Sequence, residues 1–292
     1  MILKDFFAGR RRIAAAVAVA ACALALLSLA PVRQAAADFL SILRVRKFAV
    51  IPLDPAQVAK LESLTDTLDQ DAFGKETILR EEGEPLAVSD AAEASAAAGF
   101  SVRAPTALPA DARLRGFNVQ AGPWVRFEAN RATLQALFDA SGVQGVSLPD
   151  AETLTFEVDV PPVVTQDYAI GSGNVSLIQV QDPQATFPAG VDPASLGEIA
   201  FQLIGMPAED AQHLAQSIDW TSTVVIPLPT DAGRSREVTV DGASGLLLEQ
   251  TSSGSYARRS RVLIWERDGI VYSMEGHGVD SELLLQLADS LR

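Results

Sequence analysis

Two stretches decide the fold: EVTVDGASGLLLE, residues 237–249, and RVLIWERDGIVYSM, residues 261–274. Each places two apolar runs around an Asp-Gly pair, Asp241-Gly242 in the first and Asp268-Gly269 in the second. Asp-Gly supplies the positive φ angles that a two-residue turn between antiparallel strands requires. The spacing therefore predicts two successive hairpins. A helix over Asp280 to Leu291 follows, with Leu283, Leu284, Leu287 and Leu291 on one stripe.

Working outward, Tyr168 to Ile170 and Val175 to Val180 flank Gly171-Ser172-Gly173 as a third hairpin. Leu114 to Gln120 and Trp124 to Ala129 read as a fourth, joined around Gly122-Pro123. Leu154, Phe156, Val158 and Val160 alternate, which predicts a strand with one buried face. Helices announce themselves by their caps. Asp54-Pro55 with Gln57 opens one that carries Val58, Leu61, Leu64 and Leu68. Ser89 opens an Ala-rich one that Gly99 stops, and Asn130 opens one with Leu134, Leu137 and Phe138, closed by Gly142. Asp192-Pro193 starts a helix bearing Leu196, Ile199, Leu203 and Ile204, and Pro207 a second with Leu214 and Ile218. Residues 80–86, REEGEPL, read as a linker. The sum predicts an α+β fold, an antiparallel sheet packed on one side by helices.

The other end of the chain sets the compartment. Residues 13–32, IAAAVAVAACALALLSLAPV, carry no charge. At helical rise they span about 30 Å, the thickness of a bilayer core. A retained single-pass anchor is the reading that residues 1–12 as a cytoplasmic tail and 13–32 as a transmembrane helix express. Cleavage after Ala35-Ala36-Ala37 is the competing reading, and the lipobox-like Val19-Ala20-Ala21-Cys22 is a weaker one. Arg10, Arg11 and Arg12 abut the apolar run and favour a cytoplasmic N-terminus. Five of the 23 basic residues and one of the 37 acidic ones precede Ala35, which leaves 18 against 36 from Asp38 onward. Such an acidic body is repelled by anionic headgroups and is expected outside the cytoplasm. Residues 33–86 are assigned to a juxtamembrane segment, helix and linker, and 87–292 to the extracytoplasmic domain. Within the first of these, Asp38 to Pro52 reads as a strand or stub packed on the domain, against an interfacial segment as the alternative.

Composition excludes several classes. A net charge of −14 argues against a nucleic-acid partner, and one Cys with two His leaves no material for a disulfide scaffold or a zinc finger. Gly171-Ser172-Gly173 lacks the third glycine of a dinucleotide loop, and Gly242-Ala243-Ser244-Gly245 lacks the spacing of a nucleophile elbow. His213 and His277, the acidic runs Glu81/Glu82/Glu84 and Glu209/Asp210, and the sequon Asn174-Val175-Ser176 form no motif that nominates a reaction. Trp220, and Trp265 opposite Tyr272, read as core or cross-strand packing, and Arg258, Arg259 and Arg261 as a solvated basic loop or an acidic-partner contact. No residue is nominated as catalytic, cofactor-binding or metal-binding, no cofactor is called for, and the chain is not read as an enzyme.

Residues 91–114, AAEASAAAGFSVRAPTALPADARL, and the C-terminal hairpins with their helix resemble a bacterial family of unknown function, numbered four-three-six-seven. Its pattern falls on Gly99-Phe100, Pro105, Leu108-Pro109, Trp265, Gly269, Tyr272 and Ala288-Asp289-Ser290-Leu291. On this alignment the middle, about 115–235, is an elaboration. The resemblance implies an exported domain tethered by one helix, similar to those on membrane-bound anti-sigma factors. The zinc module His-x-x-x-Cys-x-x-Cys of those proteins is absent from this sequence. The function expected is sensing or interaction with a protein partner in envelope signalling, with an envelope lipid or small-molecule binder as the alternative.

Overall fold

The computed structural model describes residues 41–42, 47–60, 74–220, 222–230, 233–250 and 260–292. The segments 13–32, 61–73 and 251–259 lie outside them, and with them the apolar run, Leu61, Leu64, Leu68, Arg258 and Arg259. Among the described residues no helix is long and apolar enough to cross a membrane. The fold is mixed, mostly antiparallel sheet with some helices.

The strands are β1 Ser41–Ile42, β2 Lys47–Leu53, β3 Gly74–Arg80, β4 Leu86–Ala87, β5 Arg113–Gln120, β6 Trp124–Asn130, β7 Thr153–Asp159 and β8 Val163–Ile170. They continue with β9 Gly173–Gln181, β10 Gln184–Thr186, β11 Thr223–Pro229, β12 Gly233–Val240, β13 Ala243–Gln250, β14 Ser260–Arg267 and β15 Ile270–His277. The helices are α1 Ala91–Ala98, α2 Arg131–Ser141, α3 Pro193–Leu203, α4 Ala208–Ser217 and α5 Ser281–Asp289. A further helical turn spans residues 55–60.

One antiparallel sheet of eight strands, ordered β12-β13-β14-β15-β9-β8-β5-β4, forms the frame. The two Asp-Gly hairpins are present, and Asp241 and Asp268 take φ of 51° and 58°, the only positive values among non-glycine residues described. Helices α1 and α5 cover one face, over a core that includes Leu247, Leu263, Trp265, Tyr272, Met274, Leu284 and Leu287. Helix α1 lies close because its buried positions are Ala94 and Ala98. Its cap is Asp90, which accepts from the backbone N–H of Ala92 and Glu93. Ser89, expected as the opener, instead donates from N and Oγ to Glu93.

The opposite face is also covered, which the single-sided layering did not anticipate. Strands β2 and β11 pair in parallel as a two-stranded ribbon. Alternation divides its side chains: Phe48, Val50, Ile226 and Leu228 pack on Leu246, Leu248 and Val262 of the large sheet. Ile51, Leu53 and Val225 turn the other way, onto Phe201, Ala211, Ala215 and Trp220 of the α3–α4 unit. A third sheet, β1-β10-β7-β6-β3, packs Ala129 and Leu154 under α2 and α3 through Phe138, Leu148 and Ile199. Asp38 to Pro52 is thus strand from Lys47, and the capping box Asp54/Gln57 is closed by reciprocal bonds of 2.9 and 2.8 Å.

The predicted hairpin of Leu114–Gln120 with Trp124–Ala129 does not form. Both strands exist, but β5 pairs with β8 and β6 with β3 and β7, in different sheets. The chain crosses between sheets at Gly122-Pro123, where a Cβ on Gly122 would stand 2.4 Å from the Val160 carbonyl oxygen. Pro123 offers no N–H to continue a ladder. The span 115–235 is woven through the frame, since β8, β9 and most of β5 are strands of the eight-stranded sheet.

Candidate functional site

Two buried polar assemblies sit on opposite faces of the large sheet. The first centres on Arg103, in the segment between α1 and β5. On β8 and β9 the helix-facing phase holds Val164, Gln166, Tyr168 and Val175, Leu177, Gln179, so two glutamines fall where apolar residues are the rule. Both are fully buried, and both donate from Nε2 to the Arg103 carbonyl at 2.8 Å. Gln179 Oε1 accepts the Arg103 N–H at 2.9 Å, and Gln166 Oε1 accepts the Tyr168 hydroxyl at 2.6 Å. Buried amides are stable only when paired in this way.

The Arg103 guanidinium then reaches Asp241 through two nitrogens and the Leu291 carbonyl at 2.6 Å, and lies 5.9 Å from the Tyr272 ring centroid. Asp241 raises the Arg103 pKa further above its ordinary value. Arg267 also donates to Asp241 Oδ1 at 2.6 Å, and the Asp241 N–H donates to Asp289 at 2.6 Å. Tyr272 stacks on Trp265 with centroids 5.0 Å apart and planes 8° apart, the cross-strand pair expected. Residues 104 and 292 exchange backbone hydrogen bonds, so the chain's last residues are zipped to the segment carrying Arg103. Residues 91–114 and the C-terminal hairpins with their helix meet at this latch. Its charges and amides satisfy one another.

The second assembly occupies the other face, beyond the ribbon. Cross-strand registers align Gly116, Asp167, Ser176, Glu275 and Val262 in one row, and Ala169, Asn174, His277 and Ser260 in the next. Glu275 and Ser260 are buried, whereas Asp167 and Ser176 are half-buried and Asn174 is exposed. His277 Nε2 lies 3.0 Å from Glu275 Oε1, a close contact not aligned as a hydrogen bond. Ser260 Oγ donates to the same oxygen at 3.4 Å. Serine nucleophiles need the imidazole between hydroxyl and carboxylate. Here the carboxylate stands in the middle, so the geometry does not activate Ser260.

The remaining sequence candidates are dispersed. His213 is exposed on α4, far in sequence and element from His277, which ends β15. Gly171-Ser172 and Asp241-Gly242 are hairpin turns. Glu209 and Asp210 occupy the first turn of α4, where the helix dipole favours them. Glu81, Glu82 and Glu84 lie in the connection from β3 to β4. Trp220 is buried with Nε1 donating to the Ala215 carbonyl at 2.7 Å. Arg261 is not solvated: it lies 3.7 Å from Glu249 and donates to the Val279 carbonyl under α5. Among the described residues no group of three or more His, Cys, Asp or Glu is placed to hold a metal ion. Comparison with known proteins finds no matching family model, no matching curated protein and no matching solved structure.

Proposed function

We propose that this chain is a membrane-tethered extracytoplasmic domain that works by interaction, sensing or relaying a state of the envelope, in the manner of the domains on anti-sigma factors, and not by catalysis. The observation that carries the reading is the uncharged run of residues 13–32 standing immediately before a strongly acidic body. The interior supports it: the buried polar groups around Arg103 are engaged with one another, and Ser260, Glu275 and His277 stand in an order unsuited to nucleophilic attack. A transmembrane helix over 13–32 would lead first to β1, paired with β10 in the five-stranded sheet, and then to β2, so forces or contacts at the bilayer would act on that sheet and on the ribbon.

The test is fractionation of the intact chain with protease accessibility on whole cells and mass measurement of the mature N-terminus. The proposal expects the full-length mass in the membrane fraction, with the body digested from outside. A freely dissolved intact chain, or a body protected until the cells are opened, refutes it.

A further inference from the structure

We propose that the free edge of β12 is a docking site for an extended acidic segment of a partner protein, which would add a ninth strand to the frame opposite Arg234 and Arg236. This gives the interaction role a partner class and rests on that role only for its biological setting.

An unpaired strand edge is a template for another strand unless it is blunted. Most edges here are. β1 and β4 have two residues each, and β3 has a register shift between Ile78 and Arg80. The ribbon carries Pro52, Pro227 and Pro229, which give no N–H. β12 is different. It runs eight residues in unbroken register with β13, contains no proline, and pairs with nothing on its outer side among the described residues. Arg234, Ser235, Arg236 and Glu237 are consecutive and exposed.

Charge selects the occupant. The molecule carries 37 acidic residues, and Arg80, Arg103, Arg126, Arg261 and Arg267 each have a carboxylate within 4 Å. Arg234 and Arg236 have none among the described residues, whereas Glu237 already accepts from Ser244 at 2.6 Å. Both arginines point to one face, as their partners Glu249 and Leu247 do. Acidic residues two apart on an added strand would sit directly opposite them.

A second copy of this chain fits poorly. A two-fold axis normal to the sheet keeps the faces, so antiparallel self-pairing joins residues of equal parity. The two longest such registers set Arg236 against Arg236 of the second copy, or Glu237 against its own counterpart, and like charges directly opposite destabilise a pair.

The test uses the full chain in phosphatidylcholine nanodiscs and a labelled Thr/Val peptide as long as β12, eight residues, with two Glu separated by one intervening residue so that both face the same side. A Lys counterpart is the control. Anisotropy should show saturable, salt-sensitive binding of the Glu peptide only. The variant R234E/R236E should weaken it about tenfold and reverse the preference. Hydrogen exchange on the unmodified chain should slow at residues 233–240 when the Glu peptide is present, which holds even if the variant folds badly. Equal binding of both peptides, binding of neither, slowing elsewhere, or a β12-mediated dimer would each overturn the proposal. Binding is read whether or not residues 13–32 are embedded in lipid, so its failure is distinguishable from failure of the tether.

Discussion

The substitution Asp241→Asn separates charge from conformation at the latch. Asp241 sits at φ 51° in the β12–β13 turn, and Asn tolerates that region as well as Asp does. Backbone strain is therefore held constant, while the carboxylate that Arg103 and Arg267 share is neutralised. The Asp241 side chain is only 3% exposed and that of Arg103 19%, whereas Arg267 at 41% can turn to water. The loss is thus mainly that of one buried pair. Removing one partner of such a pair costs about 3–5 kcal/mol, and Arg103 keeps the Leu291 carbonyl, which argues for the low end, about 3 kcal/mol. For a body of this size that is about 6–12 °C in Tm. The assay is thermal unfolding of the full chain in detergent, read by near-ultraviolet dichroism of the Trp265–Tyr272 stack. The cycle with Arg103→Met should show coupling of about 2 kcal/mol, because the double variant leaves no charge stranded. A shift under about 2 °C, or strict additivity, would show that the pair carries no such stability.

Three further outcomes follow from geometry and titration. Gly276→Ala should destabilise by about 1–3 kcal/mol in chemical denaturation, because a Cβ there would stand 2.5 Å from Val279 Cγ2 and 3.0 Å from Leu284 Cδ2. Asn130→Ala should cost about 1 kcal/mol by the same measurement, through loss of the bond from Thr133 N–H that caps α2. Burial pushes Tyr168 up to about 12 and raises Tyr272 in the same direction. A buried phenol that holds its proton above its unfolded value stabilises the fold fully below pH of about 10, and that contribution is lost as pH rises from there through about 12. Absorbance titration of the native chain at alkaline pH should therefore ionise no more than one of its three tyrosines before unfolding begins. Early ionisation of two would contradict the burial.

What the sequence made legible is what neighbouring residues determine. Asp241-Gly242 and Asp268-Gly269 carry their turn in their own φ preferences, and Asn130, Asp192 and Asp280 carry their helix starts in side chains that reach N–H groups two or three residues on. What escaped depends on partners remote in the chain. β5 and β6 are both readable as strands, yet nothing in Gly122-Pro123 states that the chain changes sheets there, since a turn signal fixes a bend and not the identity of the next neighbour. β11, with Pro227 and Pro229, gives no strand signal until β2 is known to lie beside it; a lone parallel neighbour leaves each strand with an open edge on which a missing N–H does no harm.

The latch was half visible. Gln166 and Gln179 break the apolar phase of their strands, and a polar amide in that phase signals a buried acceptor waiting elsewhere. Which acceptor could not be read, because Arg103 lies 63 and 76 residues away. The same reasoning bears on how such a body could respond to an event at the membrane. Arg103 couples the start of the large sheet's helical cover to residues 291 and 292, while the approach from residues 13–32 enters through β1 on the five-stranded sheet and then β2 on the opposite face. A pull on β2 would have to strip Phe48 and Val50 from Leu246, Leu248 and Val262 before it disturbed the latch. The ribbon should therefore exchange its amides faster than β13 and β14 beneath it, and a mechanical or partner-driven signal that left Arg103–Asp241 intact would still be transmitted through that face.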